Sequence, residues 1–275
     1  MGEGPAQARN EIRSMLAEAG HRPNQRFGQN FLVDPNIVRK IVATAQLDTD
    51  AQVVEIGAGT GTLTGALAEV SRRVVAYEID NALEPILSSV LTDWDNVEIR
   101  IEDAGRIDLD VELPEGSWTM VSNLPYNVGT GIVLDALRGA PRIDRFVVMV
   151  QREVADRMLA SPGGKVYGLP SVIVGLHARG SRAFTVPPHV FEPQPGVASA
   201  VIVLDRIDAP PEAPRAVELA SQAFGQRRKM LRRSLSSVLE RTEETLLAAS
   251  VDPTARAEDL LPGDFVAIAR MEDVR

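Results

Sequence analysis

The chain contains no cysteine. That excludes a disulfide framework, a thiolate metal site and a cysteine nucleophile. Its three histidines, His21, His177 and His189, are scattered and never fall in an HExxH spacing. No His-rich metal site is therefore expected. No run approaches the roughly 18 apolar residues that a membrane span needs. The N-terminal twenty residues mix acids with bases and lack an apolar core, so they do not read as a secretory leader. The expectation from these absences is a soluble cytoplasmic chain with no metal and no membrane partner. What remains is ordinary globular material: 275 residues, 44% hydrophobic and 24% charged. That length suits one large domain or two smaller ones.

Positive charge is also short overall. The net charge of −9 argues, taken alone, against a nucleic-acid partner. Its distribution argues otherwise. Residues 41–141 hold five bases against seventeen acids, while residues 222–241 hold six bases against one acid. Contact with a polyanion is governed by the local patch; the sum governs solubility and long-range approach.

Strands and helices alternate through most of the chain. Short β-branched runs lie at 52–56, 73–80, 96–101, 118–123 and 145–150. Two more apolar runs, 169–179 and 199–207, read as late strands that form an antiparallel edge. Helices are expected at 35–46, 62–70 and 81–91, the first with Asp34 as N-cap and Pro35 at its opening position. Such alternation predicts a mostly parallel sheet covered on both faces. The first 25 residues read as a short helix within a loose arm. DAPPEAPR (208–215) reads as a linker, and 215–275 as helical throughout.

VVEIGAGTGTLT (53–64) places Gly57, Gly59 and Gly61 between the first strand and a helix. Glycines there let the backbone turn tightly and approach a ligand. Glu78 ends the second strand, where a carboxylate can accept both hydroxyls of an adenosine ribose. Asp103 follows the third, where one can accept from an adenine amino group. Two ligands fit, a dinucleotide or S-adenosylmethionine. The dinucleotide fingerprint requires a glycine at position 62, which is Thr62. The acid two residues before Gly57 leans the same way, toward S-adenosylmethionine.

SNLPYNV (122–128) follows the fourth strand. The Asn123 side-chain oxygen and the Leu124 carbonyl, in a turn fixed by Pro125, can each accept one hydrogen of an exocyclic amine. The Tyr126 ring can stack on the base that carries it. An aromatic amine is a weak nucleophile because its lone pair is delocalised. Two acceptors favour a pyramidal nitrogen as positive charge develops, so they bind the transition state better than the ground state.

These motifs, taken in order, resemble the KsgA/RsmA family of small-subunit ribosomal RNA adenine dimethyltransferases. The resemblance spans about residues 22–240. It is carried by QRFGQNFLVD (25–34), VVEIGAGTGTLT, AYEID (76–80), NLPYNV, MVQREVADRMLASPGGKVYGLPSV (149–172), VPPHVFEPQPGVASAVI (186–202) and AFGQRRKMLRRSL (223–235). It implies a Rossmann-like, S-adenosylmethionine-dependent methyltransferase sheet with a small C-terminal helical domain. The implied division is an arm at 1–25, the methyltransferase domain at 26–208 and a helical RNA-binding domain at 209–275. The implied reaction is dimethylation of N6 on two adjacent adenosines near the 3′ end of 16S rRNA, in an immature 30S subunit, by a monomer. The cofactor set becomes Asn30, Leu32, Gly57, Gly59, Glu78, Ile79, Asp103, Ala104 and Asn123. The catalytic set becomes Asn123, Leu124, Pro125, Tyr126 and Phe191, the last as a second aromatic wall. Departures from the pattern include Ala58 for proline, expected to loosen the turn, and Glu102 for glycine before Asp103.

Arg227, Arg228, Lys229, Arg232 and Arg233 fall within seven residues. On one helix, positions 228, 232 and 235 share a face. No acid between 222 and 239 pairs with them. Phosphate contact by this helix is the expected RNA-binding role. Three rivals stand beside the leading reading. One is a 23S rRNA adenine-N6 methyltransferase of the macrolide-resistance type. Another is a binding protein acting as an assembly checkpoint on the small subunit. A dehydrogenase is the third, and it leaves NLPY unexplained.

Overall fold

The computed structural model describes residues 9–24 and 27–273. Residues 1–8 of the expected arm, and Gln25 and Arg26 of the QRFGQNF motif, lie outside the described residues. In chain order the elements are α1 (Arg9–Glu18), β1 (Phe31–Leu32), α2 (Pro35–Ala45), β2 (Gln52–Ile56), α3 (Thr62–Ala68), β3 (Arg73–Glu78), α4 (Glu84–Val90), β4 (Val97–Ile101), α5 (Leu109–Glu112), β5 (Trp118–Asn123) and α6 (Gly129–Gly139). There follow β6 (Ile143–Gln151), α7 (Arg152–Met158), α8 (Leu169–His177), β7 (Ala178–Val186), β8 (Phe191–Glu192), β9 (Ser199–Arg206), α9 (Ala213–Gly225), α10 (Leu231–Ser234), α11 (Thr242–Ala248) and α12 (Pro262–Asp273).

Seven strands form one sheet in the order β4-β3-β2-β5-β6-β9-β7. The pairs β4–β3, β3–β2, β2–β5 and β5–β6 are parallel, and β9 runs antiparallel to β6. β2 and β3 carry adjacent valines in place of alternating apolar residues because both faces are covered; Val53, Val54, Val74 and Val75 are fully buried. The strand order reverses between β2 and β5, so the loops leaving their C-terminal ends diverge and open a crevice. In open α/β sheets that is where ligands bind. Asp34 caps α2 by accepting from the backbone N–H of Asn36, with Pro35 in the first turn, as expected.

The chain divides into two compact units, Met1–Ala155 with Ser181–Asp205, and Asp156–Gly180 with Arg206–Arg275. This differs from a division at 208, because residues 156–180 cluster with the C-terminal helices. The reason is α8. Residues 169–177, expected as a strand, form a helix opened by Gly168 and Pro170. A short apolar run of Val172, Ile173 and Val174 carries no decisive period. Here it is buried nearly all round, which suits a core helix as well as a strand. Within that second unit Phe224 of α9 meets Tyr167 edge-to-face at 5.8 Å, and the Tyr167 hydroxyl donates to the Leu260 carbonyl at 2.8 Å.

The N-terminal segment is also less loose than expected. α1 buries Ile12 and Leu16 in the core of the first unit. Arg9 and Arg13 both pair with Glu192, and Arg9 also donates to the Phe191 carbonyl. These two arginines hold the Glu192 carboxyl below its usual range, overriding the opposite effect of burial.

Candidate active site

A cleft of about 870 Å³, its open mouth included, lies at the β2/β5 reversal. It is lined by Asn30, Leu32, Gly57, Gly59, Glu78, Ile79, Asp103, Ala104, Asn123, Leu124, Pro125 and Tyr126, all named from sequence. They come from five separate segments, so the sheet brings together what the chain spaces over about a hundred residues.

The glycine turn forms the floor. Gly57 has φ +85° and donates its N–H to the Tyr77 carbonyl at 2.8 Å. A side chain there would meet the Pro125 ring at 3.3 Å, so the turn and the NLPY segment pack directly on each other. Ala58 donates to the same carbonyl at 3.1 Å. Proline has no N–H and lacks that bond. Alanine therefore adds a tie at this position, contrary to the expected loosening.

Glu78 ends β3 and is buried. One carboxylate oxygen accepts from the Gly59 N–H at 2.8 Å and the other from the Asp80 N–H at 3.0 Å. Each oxygen keeps a second lone pair for a hydroxyl. Burial raises the Glu78 carboxyl above its ordinary value in spite of these donors. Asp103 sits at the rim, where Oδ1 accepts from the Gly105 N–H at 3.0 Å and Oδ2 pairs with Arg106 at 3.1 Å.

Glu55 also lines the cleft and was not assigned a role from sequence. It is 1% exposed, and its Oε2 has no hydrogen-bond partner. Burial, with the nearby Glu78 charge adding to it, pushes its carboxyl up to about 8. Its position in the motif is visible in sequence; its isolation from water is not.

Asn123 is the last residue of β5. Its Nδ2 donates to the Asn30 carbonyl at 3.2 Å, and Asn30 Nδ2 in turn donates to the Gly28 carbonyl at 3.0 Å. With Nδ2 committed, the Asn123 Oδ1 is the end left to accept. The Leu124 N–H donates to the Met149 carbonyl at 3.1 Å, seating the turn on β6. Tyr126 is half-buried, and its hydroxyl lies 2.6 Å from the Ser199 hydroxyl. The strap that leads into β1 is held from outside the cleft as well. Gln29 bridges the chain here, its Nε2 donating to Asp80 at 2.8 Å and its Oε1 accepting from the Asn24 N–H at 2.7 Å.

Phe191 does not join them. It is fully buried, sits in the hydrophobic core and pairs through β8 with Leu32 of β1. The aromatic wall expected there is a core phenylalanine, because the β1–β8 ribbon turns its ring away from solvent.

In the second unit the basic cluster is not one helix. α9 ends at Gly225, residues 226–229 form a turn, and α10 begins only at Leu231. The shared face of 228, 232 and 235 therefore does not exist, and Leu235 is buried. Arg227 pairs with Glu258 at 2.8 Å and donates to the carbonyls of Tyr167 and Lys165. Arg232 is half-buried, with Glu243 at 3.5 Å. The pairing acids come from beyond residue 240, outside the acid-free stretch 222–239. Arg228, Lys229 and Arg233 are exposed.

A doubly covered parallel sheet with β9 added antiparallel to β6, a glycine turn after β2, an acid ending β3 and NLPY after β5 define a Rossmann-like methyltransferase. The comparisons agree. The chain belongs to the ribosomal RNA adenine dimethylase family, whose profile matches residues 20–273. It is 43% identical over 282 residues to the ribosomal RNA small subunit methyltransferase A of Streptomyces griseus, covering 97% of this chain and 94% of that protein. The protein of that name from Acidothermus cellulolyticus is 39% identical, covering 96% and 94%. Among solved structures, 23S rRNA methyltransferase ErmE superposes with a TM-score of 0.67 at 27% identity, covering 89% of this chain and all of that one. A dimethyladenosine transferase from Plasmodium falciparum superposes with a TM-score of 0.72 at 22% identity, covering 86% and 95%, and supports the fold.

Proposed function

We propose that this enzyme uses S-adenosylmethionine to dimethylate N6 of two adjacent adenosines near the 3′ end of 16S rRNA. The substrate is the immature 30S particle in the cytoplasm, and the enzyme acts as a monomer. The observation that carries the reaction is the Asn30–Asn123 bond, which leaves one acceptor at the end of β5 beside the Leu124 carbonyl and Tyr126.

The residues present fit the cofactor. Glu78 offers two lone pairs to ribose hydroxyls, Asp103 and Ala104 border the adenine end, and Ile79 lies 41% exposed beside them as an apolar surface. The unpartnered Oε2 of buried Glu55 leaves a polar atom in the same cleft for a ligand to satisfy. Gly57, Gly59, Asn30 and Leu32 complete the walls. S-adenosylmethionine, when bound, supplies an electrophilic methyl group on a sulfonium.

The chain's own residues then act on the adenosine. Tyr126 takes the unstacked base on its ring, as an enzyme working on a base atom must. Asn123 Oδ1 and the Leu124 carbonyl accept the two amine hydrogens and hold the nitrogen with its lone pair exposed. Charge developing on that nitrogen strengthens both bonds. No side-chain base is required, since the proton is acidic once the nitrogen is positive and passes to water. Orientation supplies much of the remainder. Arg228, Lys229 and Arg233 supply phosphate contacts that position the RNA without reading sequence.

The test is mass spectrometry of rRNA after incubation of the protein, labelled S-adenosylmethionine and immature 30S particles that lack the modification. Two neighbouring dimethyladenosines near the 3′ end are expected. No label there, with label on 23S rRNA in a parallel incubation, would move the target to the large subunit.

A further inference from the structure

We propose that Ser199 is a positioning residue for the target base, its hydroxyl fixing the plane of the Tyr126 ring. The inference rests on Tyr126 being the wall on which that base stacks.

The NLPY turn is tied through its backbone and through Asn123, whose Nδ2 donates to the Asn30 carbonyl. The Leu124 N–H reaches Met149, and the Gly129 N–H closes on the Pro125 carbonyl at 2.8 Å. Asn127 and Val128 are exposed. The Tyr126 ring would swing about its side-chain torsions were its far end free. That end is not free: the hydroxyl meets the Ser199 hydroxyl at 2.6 Å. Ser199 is fully buried and opens β9. It lies opposite Gln151 in the β6–β9 ladder, and the preceding Ala198 carbonyl accepts from the Arg152 N–H at 2.9 Å. The anchor is therefore part of the rigid sheet, 73 residues away in sequence from the ring it holds. Burial raises the Tyr126 phenol above its ordinary value, so the hydroxyl remains a neutral hydrogen-bonding group at working pH. A ring held in place before the base arrives spares the ordering cost that a mobile ring would incur on binding. Sub-ångström control of the base also keeps the amine in line with its acceptors.

The experiment is steady-state kinetics on immature 30S particles, with cofactor affinity measured by calorimetry. Ser199→Ala is expected to lower kcat/KM for RNA about tenfold, while cofactor affinity stays within about twofold of the parent. Ser199→Thr, which keeps the hydroxyl, is expected to restore most of the loss. Tyr126→Phe removes the same bond from its other end and leaves Ser199 in place, so it covers the case in which Ser199→Ala folds poorly. Its loss should match, and the double variant should be no worse than either single one. The phenol titration of Tyr126, read by ultraviolet difference against Tyr126→Phe, should shift in Ser199→Ala. Additive losses, a parental kcat/KM in both single variants, or an unmoved titration would overturn the proposal. Tyr126→Ala separates the two readings. If it costs heavily while Ser199→Ala and Tyr126→Phe do not, positioning alone fails. If Tyr126→Ala is parental, the stacking wall fails and the proposal falls with it.

Discussion

Asn123 has two amide ends with different partners, and the consequences of losing each differ. Nδ2 ties the NLPY turn to the N-terminal strap, while Oδ1 is the acceptor proposed for the substrate amine. Asn123→Ala removes both, yet Glu78, Asp103 and the glycine turn are untouched. Turnover should fall well over tenfold, in the range seen when one preorganised polar contact to developing charge is removed. Cofactor affinity by calorimetry should change by less than about threefold. A variant with parental kcat would dismiss the acceptor role. Glu55 makes a prediction of another kind. Its carboxyl is pushed up to about 8 in the folded chain, from an ordinary value of 4.5. Between those values the unfolded chain has released the proton and the folded one retains it. Stability from this group is complete below the unfolded value and is lost as pH rises, by about 1.4 kcal/mol per pH unit for one proton. Glu55→Gln has no such proton. Denaturant unfolding of both proteins between pH 5 and pH 8 should show the variant gaining on the parent as pH rises. A gap independent of pH would mean that Glu55 is ionised throughout.

The strap from Phe27 to Leu32 works as an element because its backbone meets the NLPY turn. Gly28 has φ +63°, and a side chain there would meet the Tyr126 backbone nitrogen at 3.1 Å. Its carbonyl holds Asn30, whose own carbonyl holds Asn123. Gly28→Ala should therefore cost roughly 1–2 kcal/mol in backbone strain alone. It should also raise the KM for RNA and the Kd for cofactor together, because one displaced strap borders both. An increase in only one of them would show that the strap does not couple the two. At this scale the sequence was readable where the chemistry is local. Strand, glycine turn, acid and NLPY follow each other in fixed order, and Asp34–Pro35 announces α2 outright. It was unreadable where burial comes from distant segments. Val172–Val174 suits strand or buried helix equally, and only the helices around it decide. Ile12, Met15 and Leu16 have the spacing of one apolar helix face, but the surface on which α1 docks is not written beside them. Phe191 has the right neighbours for a site residue and points inward because β8 pairs with β1. Ser199 falls inside the 186–202 motif, but its partner lies 73 residues away and nothing in that motif names it.

Over the whole molecule the question is how a chain of net charge −9 holds a polyanion. The acids concentrate in residues 41–141, so at long range the protein repels RNA and at short range a patch must overcome that repulsion. The sequence shows five cations in residues 227–233, but the fold spends them unequally. Arg227 is committed to Glu258 and two backbone carbonyls, and Arg232 lies half-buried near Glu243. Their loss should be felt as stability. Arg227→Ala should lower Tm and leave the salt dependence of RNA binding nearly parental. Arg228 and Arg233 are exposed and offer their charge outward. Each phosphate neutralised on a single strand contributes about −0.7 to the slope of log K against log salt. Reversing both, as Arg228→Glu with Arg233→Glu, should flatten that slope by about 1.4 on the same basis, with Tm near the parent. Affinity should fall most at low salt, where counterion release is worth most. The two variants thus sort the cluster by what each cation is bound to in the folded chain. If the double reversal leaves the slope unchanged while Tm holds, the patch is a solvated face and the phosphate contacts lie elsewhere on the molecule.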